Sequence, residues 1–209
     1  MPVDGAVRAV MAVASRQHAV VSVAQLAAAG LGRHAVAHRT ATGWLRPMFR
    51  SVYLVGPLES PLSRLMGAVL ACGPGALLSH YSATVLWVLR PAREGLIDVT
   101  VPGRKTRDRP GIRVHKSQIH PRDATRQHGI PVTSPARTLL DLATTLPQEE
   151  LDRAVEEAQV QRRVSTQSLN EQFERYPQHR GTAARRHWPR RSAPTPRSRD
   201  LRWNGGCWR

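Results

Sequence analysis

The stretch from Ser22 to Val55 constrains the fold more than any other part of the chain. Ser22 is a hydroxyl residue placed to cap a short Ala/Leu-rich helix over residues 23–29. Gly30-Leu31-Gly32 then supplies a tight turn, where glycine takes positive φ without steric cost. A second helix is expected over residues 33–42, stopped by Gly43 at the C-terminal cap. It is strongly basic, with Arg33, His34, His38 and Arg39 inside seven residues. Residues 44–55 are rich in aromatic and β-branched side chains and suit a hairpin, which carries Arg46 and Arg50. Two helices joined by a short Gly-containing turn place the second helix in the DNA major groove. A following β-wing puts its arginines within reach of phosphates.

A basic helix is by itself compatible with a merely solvated face. The charge pattern favours a polyanion instead, because no Asp or Glu occurs between Gly5 and Leu58. A surface that approaches phosphates needs that absence more than it needs any particular base. The expected groove-facing set is Arg33, His34, His38 and Arg39, with Arg46 and Arg50 on phosphates. The bland alternative is that one or two of the six pack their stems on the domain and point to solvent, Arg39 first among them.

The overall charge of +16 must be located before it is interpreted. Residues 180–209 hold nine Arg and one Asp, so half of the excess lies in thirty residues. Cys72 and Cys207 are isolated, which offers no disulfide framework or metal spacing and suits a reducing compartment. The N-terminal region lacks a long apolar run, so the expectation is a cytoplasmic protein without membrane contact.

Three regions follow from the patterning. Residues 1–57 form a winged helix-turn-helix, in which Val7, Val10, Met11 and Ala14 recur at helical spacing and Leu45, Phe49, Val52 and Leu54 of the wing close a small core. Residues 58–177 form a small mixed α/β domain, for an α+β fold overall. Its expected elements are a helix from Ser60-Pro61 to Gly73, a helix over 79–89 and strands over 96–101, 111–116 and 130–133. Three helices follow: from Ser134-Pro135 to Leu146, over 149–163 with a Glu149–Arg153 pair, and from Ser165 onward. Residues 178–209 form a basic tail with no Val, Ile, Met or Phe, expected to be disordered because it cannot offset its ordering entropy.

These residues resemble a known family. The run "HAVVSVAQLAAAGLGRHAVAHRTATGWLRPMFRSVYLVG" is similar to the N-terminal winged helix of AbiEi-family proteins. "AVLACGPGALLSHYSATVLWVLRP", "IDVTVPGR", "GIRVHKS" and "HGIPVTSPARTLLDLA" resemble the α/β domain that follows it. The resemblance implies a DNA-binding antitoxin of a type IV toxin–antitoxin system. Its partners would be double-stranded DNA at its own promoter and a nucleotidyltransferase toxin, and it would need no cofactor. Two positions depart from the pattern: Ser51 where the wing usually turns on Gly, and Gly32 where Ser or Thr commonly caps the recognition helix. Longer members continue into a very-short-patch-repair-type nuclease domain. Here periodicity is lost after Arg180-Gly181-Thr182, as in a gene read out of frame from about Ala184. The alternative reading is therefore the remnant of a DNA-targeted endonuclease without its catalytic domain.

No catalytic constellation emerges from the residues. Asp98 with Arg104-Lys105 lacks the second carboxylate of a metal-dependent nuclease and reads as a strand residue with a local partner. No nucleophile is spaced with His80 or His115, and the histidines match no zinc pattern. Ser79, Ser82, Ser134 and Ser165 read as caps and turn residues, and the expectation is a protein that is not an enzyme. The helices over 135–146 and 149–163 are candidate partner surfaces; the second carries Glu149, Glu150, Asp152, Glu156 and Glu157.

Overall fold

Three serines start helices as the sequence implies. Ser22, Ser60 and Ser165 each form a capping box, accepting from the backbone N–H three residues on while the residue there bonds back to the cap N–H. Such caps satisfy helix-end donors and stabilise each helix by about 1 kcal/mol. The structure, a computed structural model, describes residues 3–103 and 109–186.

The first unit runs α1 (Val3–Ala14), β1 (Val20–Ser22), α2 (Val23–Ala28), α3 (Arg33–Ala41), β2 (Leu45–Phe49) and β3 (Val52–Val55). The strands form an antiparallel sheet in the order β1-β3-β2. Strand periodicity divides their side chains between two faces. Val21, Leu45 and Val55 join Ala6, Val10, Ala14, Leu26 and Leu31 in a small helical core. Val20, Val52 and Leu54 face the other way, into the core that contains Met66, Ala68 and Val69 of α4 (Pro61–Cys72). Of the four wing residues expected to close the first core, only Leu45 does so; Phe49, Val52 and Leu54 belong with the second core. Met11, on the expected apolar face of α1, is 49% exposed.

The second unit continues with β4 (Leu77–Leu78), α5 (His80–Leu86), β5 (Ile97–Val101), β6 (Ile112–Lys116), β7 (Ala124–Gln127), β8 (Ile130–Thr133), α6 (Pro135–Leu142), α7 (Gln148–Val160) and α8 (Thr166–Arg175). Its five-stranded sheet has the order β6-β5-β4-β8-β7. β5–β6 and β4–β8 pair in parallel, β4–β5 and β7–β8 antiparallel. The β7–β8 turn is His128-Gly129, both at positive φ, as a two-residue hairpin requires. Its tip touches the first unit, where the His18 ring donates from Nε2 to the His128 carbonyl at 2.7 Å.

Several details differ from expectation. α6 is buried at every residue from Ala136 to Leu142, so it offers no surface to a partner. In place of the expected Glu149–Arg153 pair, Glu150 bonds Arg90 across the fold and Gln148 bonds Asp152 at 2.7 Å. Order also extends beyond residue 177. A 3-10 segment, Arg180–Arg186, follows α8, and Gly181 lies so close to α6 that a Cβ would sit 2.1 Å from the Leu140 carbonyl oxygen. Thr182 Oγ1 donates to the Tyr176 carbonyl at 3.0 Å. The low apolar content of the tail misled because the close fit of Gly181 on α6 and the bonds of His179 and Thr182 seat this segment. Residues 187–209, which hold most of the tail, and the Arg104-Lys105 pair lie outside the described residues.

Candidate nucleic-acid interface

α3 is presented rather than buried. None of its residues is fully buried, and Arg33, His34, Ala37 and His38 are exposed. Their spacing places them on one side of the helix, while Val36 and Ala35 pack on the first core. Gly32 is the N-cap and, having no side chain, leaves the first-turn N–H groups without a side-chain acceptor. The N-terminal end of α3 thus presents free backbone donors beside Arg33 and His34, with the positive end of the helix dipole. No acidic residue of the first turn opposes them.

The other three predicted residues are arranged differently. Arg39 is half-buried, its guanidinium 5.5 Å from the Trp44 ring centroid and its Nη1 donating to the Ala35 carbonyl at 3.4 Å. It flanks a shallow recess lined by Val7, His38, Arg39, Thr42 and Trp44. Arg46 is exposed but turned back, with Nη1 donating to the Pro57 carbonyl at 2.5 Å. Arg50 stands exposed at the wing tip, followed by Ser51 at φ 61°. A non-glycine residue there stores backbone strain of about 1–2 kcal/mol. The tip is tied to α2, because Val23 N–H donates to the Ser51 carbonyl at 2.9 Å.

A second group of polar residues lies inside the α/β unit, and sequence reasoning missed it. Asp98 and Thr100 alternate with Ile97, Val99 and Val101 along β5. Thr100 Oγ1 donates to Ser79 Oγ at 2.8 Å, which leaves the Ser79 proton for His80 Nδ1 at 3.0 Å. Ser79 occupies an N-cap position but makes no cap bond; Ser82 Oγ accepts from the Asp98 N–H at 2.8 Å. These two serines therefore serve the network, not the helix end, whereas Ser134 and Ser165 do cap. The His115 ring stacks on His80 with centroids 3.6 Å apart, and its Nε2 meets Asp98 Oδ1 at 2.8 Å. Asp98 thus has a partner on the adjacent parallel strand, not a sequence-local one.

A second buried group lies on α6, close enough for Asp141 and Arg137 to act on His80 through their charges. Arg137, fully buried, donates from Nε to Asp141 Oδ1 at 2.9 Å, and from Nη1 and Nη2 to the Gln118 carbonyl and Ser117 Oγ. His179 Nε2 lies 3.3 Å from Asp141, while its Nδ1 accepts from Gly181 N–H. Burial drives the His80 pKa down to about 4, helped by His115 and Arg137 and opposed by Asp141 and Asp98. Burial pushes Asp141 up, but its bond with His179 and the charges of His80 and Arg137 hold it below the usual carboxylate value. Ser79 is sealed from solvent with its hydroxyl committed to Thr100 and His80, and these bonds tie β5 to α5. Among the described residues, no three His, Cys, Asp or Glu groups converge as a metal site.

Two family models match the chain. One, described as a transcriptional regulator, AbiEi antitoxin, matches residues 8–56, which hold the helix-turn-helix and wing. The other, the AbiEi antitoxin C-terminal domain, matches residues 78–187, which hold the five-stranded sheet except Leu77, and the docked 3-10 segment. The chain belongs to the AbiEi antitoxin family. The crystal structure of the RV2827C protein from Mycobacterium tuberculosis is similar in fold, with a TM-score of 0.51 at 19% identity, covering 82% of this chain and 71% of that one. No curated protein matches. Among the described residues of this AbiEi-family chain, no helix is long and apolar enough to cross a membrane.

Proposed function

We propose that this AbiEi-family chain is a DNA-binding antitoxin that represses its own promoter and opposes a nucleotidyltransferase toxin, without enzymatic activity of its own. The observation that carries the reading is the acid-free face of α3, where Arg33, His34 and His38 stand exposed beside an uncapped helix N-terminus. Arg33 and His34, at the N-terminal end, take the base edges, His38 lies along the groove, and Arg50 takes a phosphate. Arg46 contributes charge from its tethered position. Arg39 supports Trp44 and the helix more than it meets a base.

The acidic side of α7 is the surface offered to the toxin. Glu149, Glu156 and Glu157 are exposed there, and Val160 adds 62% exposed apolar surface at its end. Acidic residues suit a basic partner and keep this side away from DNA. The two roles use separate surfaces, so they separate by mutation in the full chain. Co-expression with a nucleotidyltransferase toxin of a type IV system, read as growth, tests this. The wild-type chain and an Arg33→Ala/His34→Ala/His38→Ala variant are both expected to restore growth, while only the variant fails to repress a promoter reporter. Continued growth arrest with soluble, folded chain present overturns the antitoxin assignment.

A further inference from the structure

The second unit takes hold of the wing through two consecutive side chains. β2 carries a bulge, since Pro47 pairs with Tyr53 while Phe49 pairs with Val52, leaving Met48 as the extra residue. A bulge breaks strand alternation and re-aims side chains. Here it lets the neighbours Met48 and Phe49 both pack against the core built on α4, where regular alternation sends one of them to the opposite face. They land on Gly67, which is buried in the middle of α4. A Cβ at Gly67 would lie 2.7 Å from Met48 Sδ and 3.1 Å from Phe49 Cδ2 and Cε2. Gly111, just before β6, also approaches the ring: its Cβ would lie 3.5 Å from Phe49 Cε1. The Phe49 ring therefore meets two glycines, both supplied by the second unit. Arg50 is the next residue, at the exposed tip.

We propose that Met48 and Phe49, seated on Gly67 and Gly111, are positioning residues that hold Arg50 against the DNA backbone, so that the second unit sets the grip of the wing. This rests on the reading of α3 and the wing as the DNA interface. Glycine at position 67 is otherwise unfavourable, because alanine is the better residue in a helix interior. The close approach of the wing accounts for it. A methyl group there displaces the flexible end of Met48 and shifts the Phe49 ring by a few tenths of an ångström, which moves Arg50 while α4 gains helix propensity.

The test is binding of the full chain to its own promoter fragment, by fluorescence anisotropy over a salt series, with thermal unfolding of the same samples. Arg50→Ala should weaken binding roughly fivefold near physiological salt and lower the slope of log affinity against log salt by about 1, the signature of a single missing phosphate interaction. Gly67→Ala should reproduce both changes without lowering the melting temperature. Arg50→Ala should then add less than about twofold in the Gly67→Ala background. Phe49→Leu, which keeps an apolar side chain but withdraws from Gly111, should mimic Gly67→Ala and carries the test if that variant fails to fold. Wild-type affinity and slope in Gly67→Ala, or in Phe49→Leu where that variant carries the test, with the full cost of Arg50→Ala retained, overturn the proposal. If Arg50→Ala has no effect while the α3 variant abolishes binding, the positioning claim fails and the α3 reading stands. If the wild type itself does not bind, both fail.

Discussion

Asp141→Ala should cost about 3–5 kcal/mol, a large share of the 5–15 kcal/mol typical of a whole domain. The substitution strands the Arg137 guanidinium, which is 0% exposed, without its carboxylate. It also removes the acceptor of His179, one of the groups that dock the 3-10 segment on α6. Urea denaturation should show the midpoint fall with little change in slope. The pair Arg137→Met/Asp141→Leu should lose less than Asp141→Ala alone, because a buried charge removed together with its partner leaves no uncompensated ion. Near-wild-type stability of Asp141→Ala would show that the backbone and serine bonds of Arg137 suffice, and a stabilising role for the Arg137–Asp141 pair would be ruled out.

Mild acid should destabilise the protein through His80. Its pKa is about 4 in the folded chain against 6.5 unperturbed, so the folded state favours the neutral ring. The contribution is fully present above pH 6.5 and is lost as the pH falls through 6.5 toward 4, where the unfolded chain binds the proton first. The full loss is on the order of 3 kcal/mol. His80→Asn, which accepts the left-handed φ of 48° at this position, should flatten that limb. Asp141 does not confuse the reading, since its lowered pKa places its own contribution at more acid pH. Stability that stays constant between pH 6.5 and 4.5 in the wild type would contradict the buried, neutral assignment.

Much of this was legible because local chemistry sets it. Ser22, Ser60 and Ser165 announced three helix starts, and Gly30 and Gly43 marked a turn and a stop. The strands over Ile97–Val101, Ile112–Lys116 and Ile130–Thr133 followed from branched residues between Gly and Pro signals. β1 and β4 were not visible, being three and two residues long, too short to show a period. β7, Ala-Thr-Arg-Gln, lies at the sheet edge with little to bury and so has no apolar alternation.

Of the candidate interface, the exposed face of α3 was legible because charge and helical spacing are both sequence properties. The conformation at Ser51 was signalled by the glycine usual there, while the anchoring of Arg46 on Pro57 was not. The histidine–aspartate network was out of reach, because His80, Asp98 and His115 meet only through the register of β5 on β6 and the placing of α5. His179 and Gly181 were hidden for a related reason. Their value is a fit against α6, and a sequence that pairs a histidine with a distant carboxylate leaves no periodic trace.

Whether α3 reads DNA is decided by equilibrium binding of the wild-type chain and of Arg33→Ala/His34→Ala/His38→Ala to the promoter of its own gene and to an unrelated duplex of equal length. The wild type is expected to prefer its promoter at fixed salt, and the variant, folded and equally stable, to bind both duplexes alike at the weaker level. Removing a side chain that reads a base should take away about 1–3 kcal/mol of that preference. Equal promoter binding by wild type and variant would take α3 out of the mechanism.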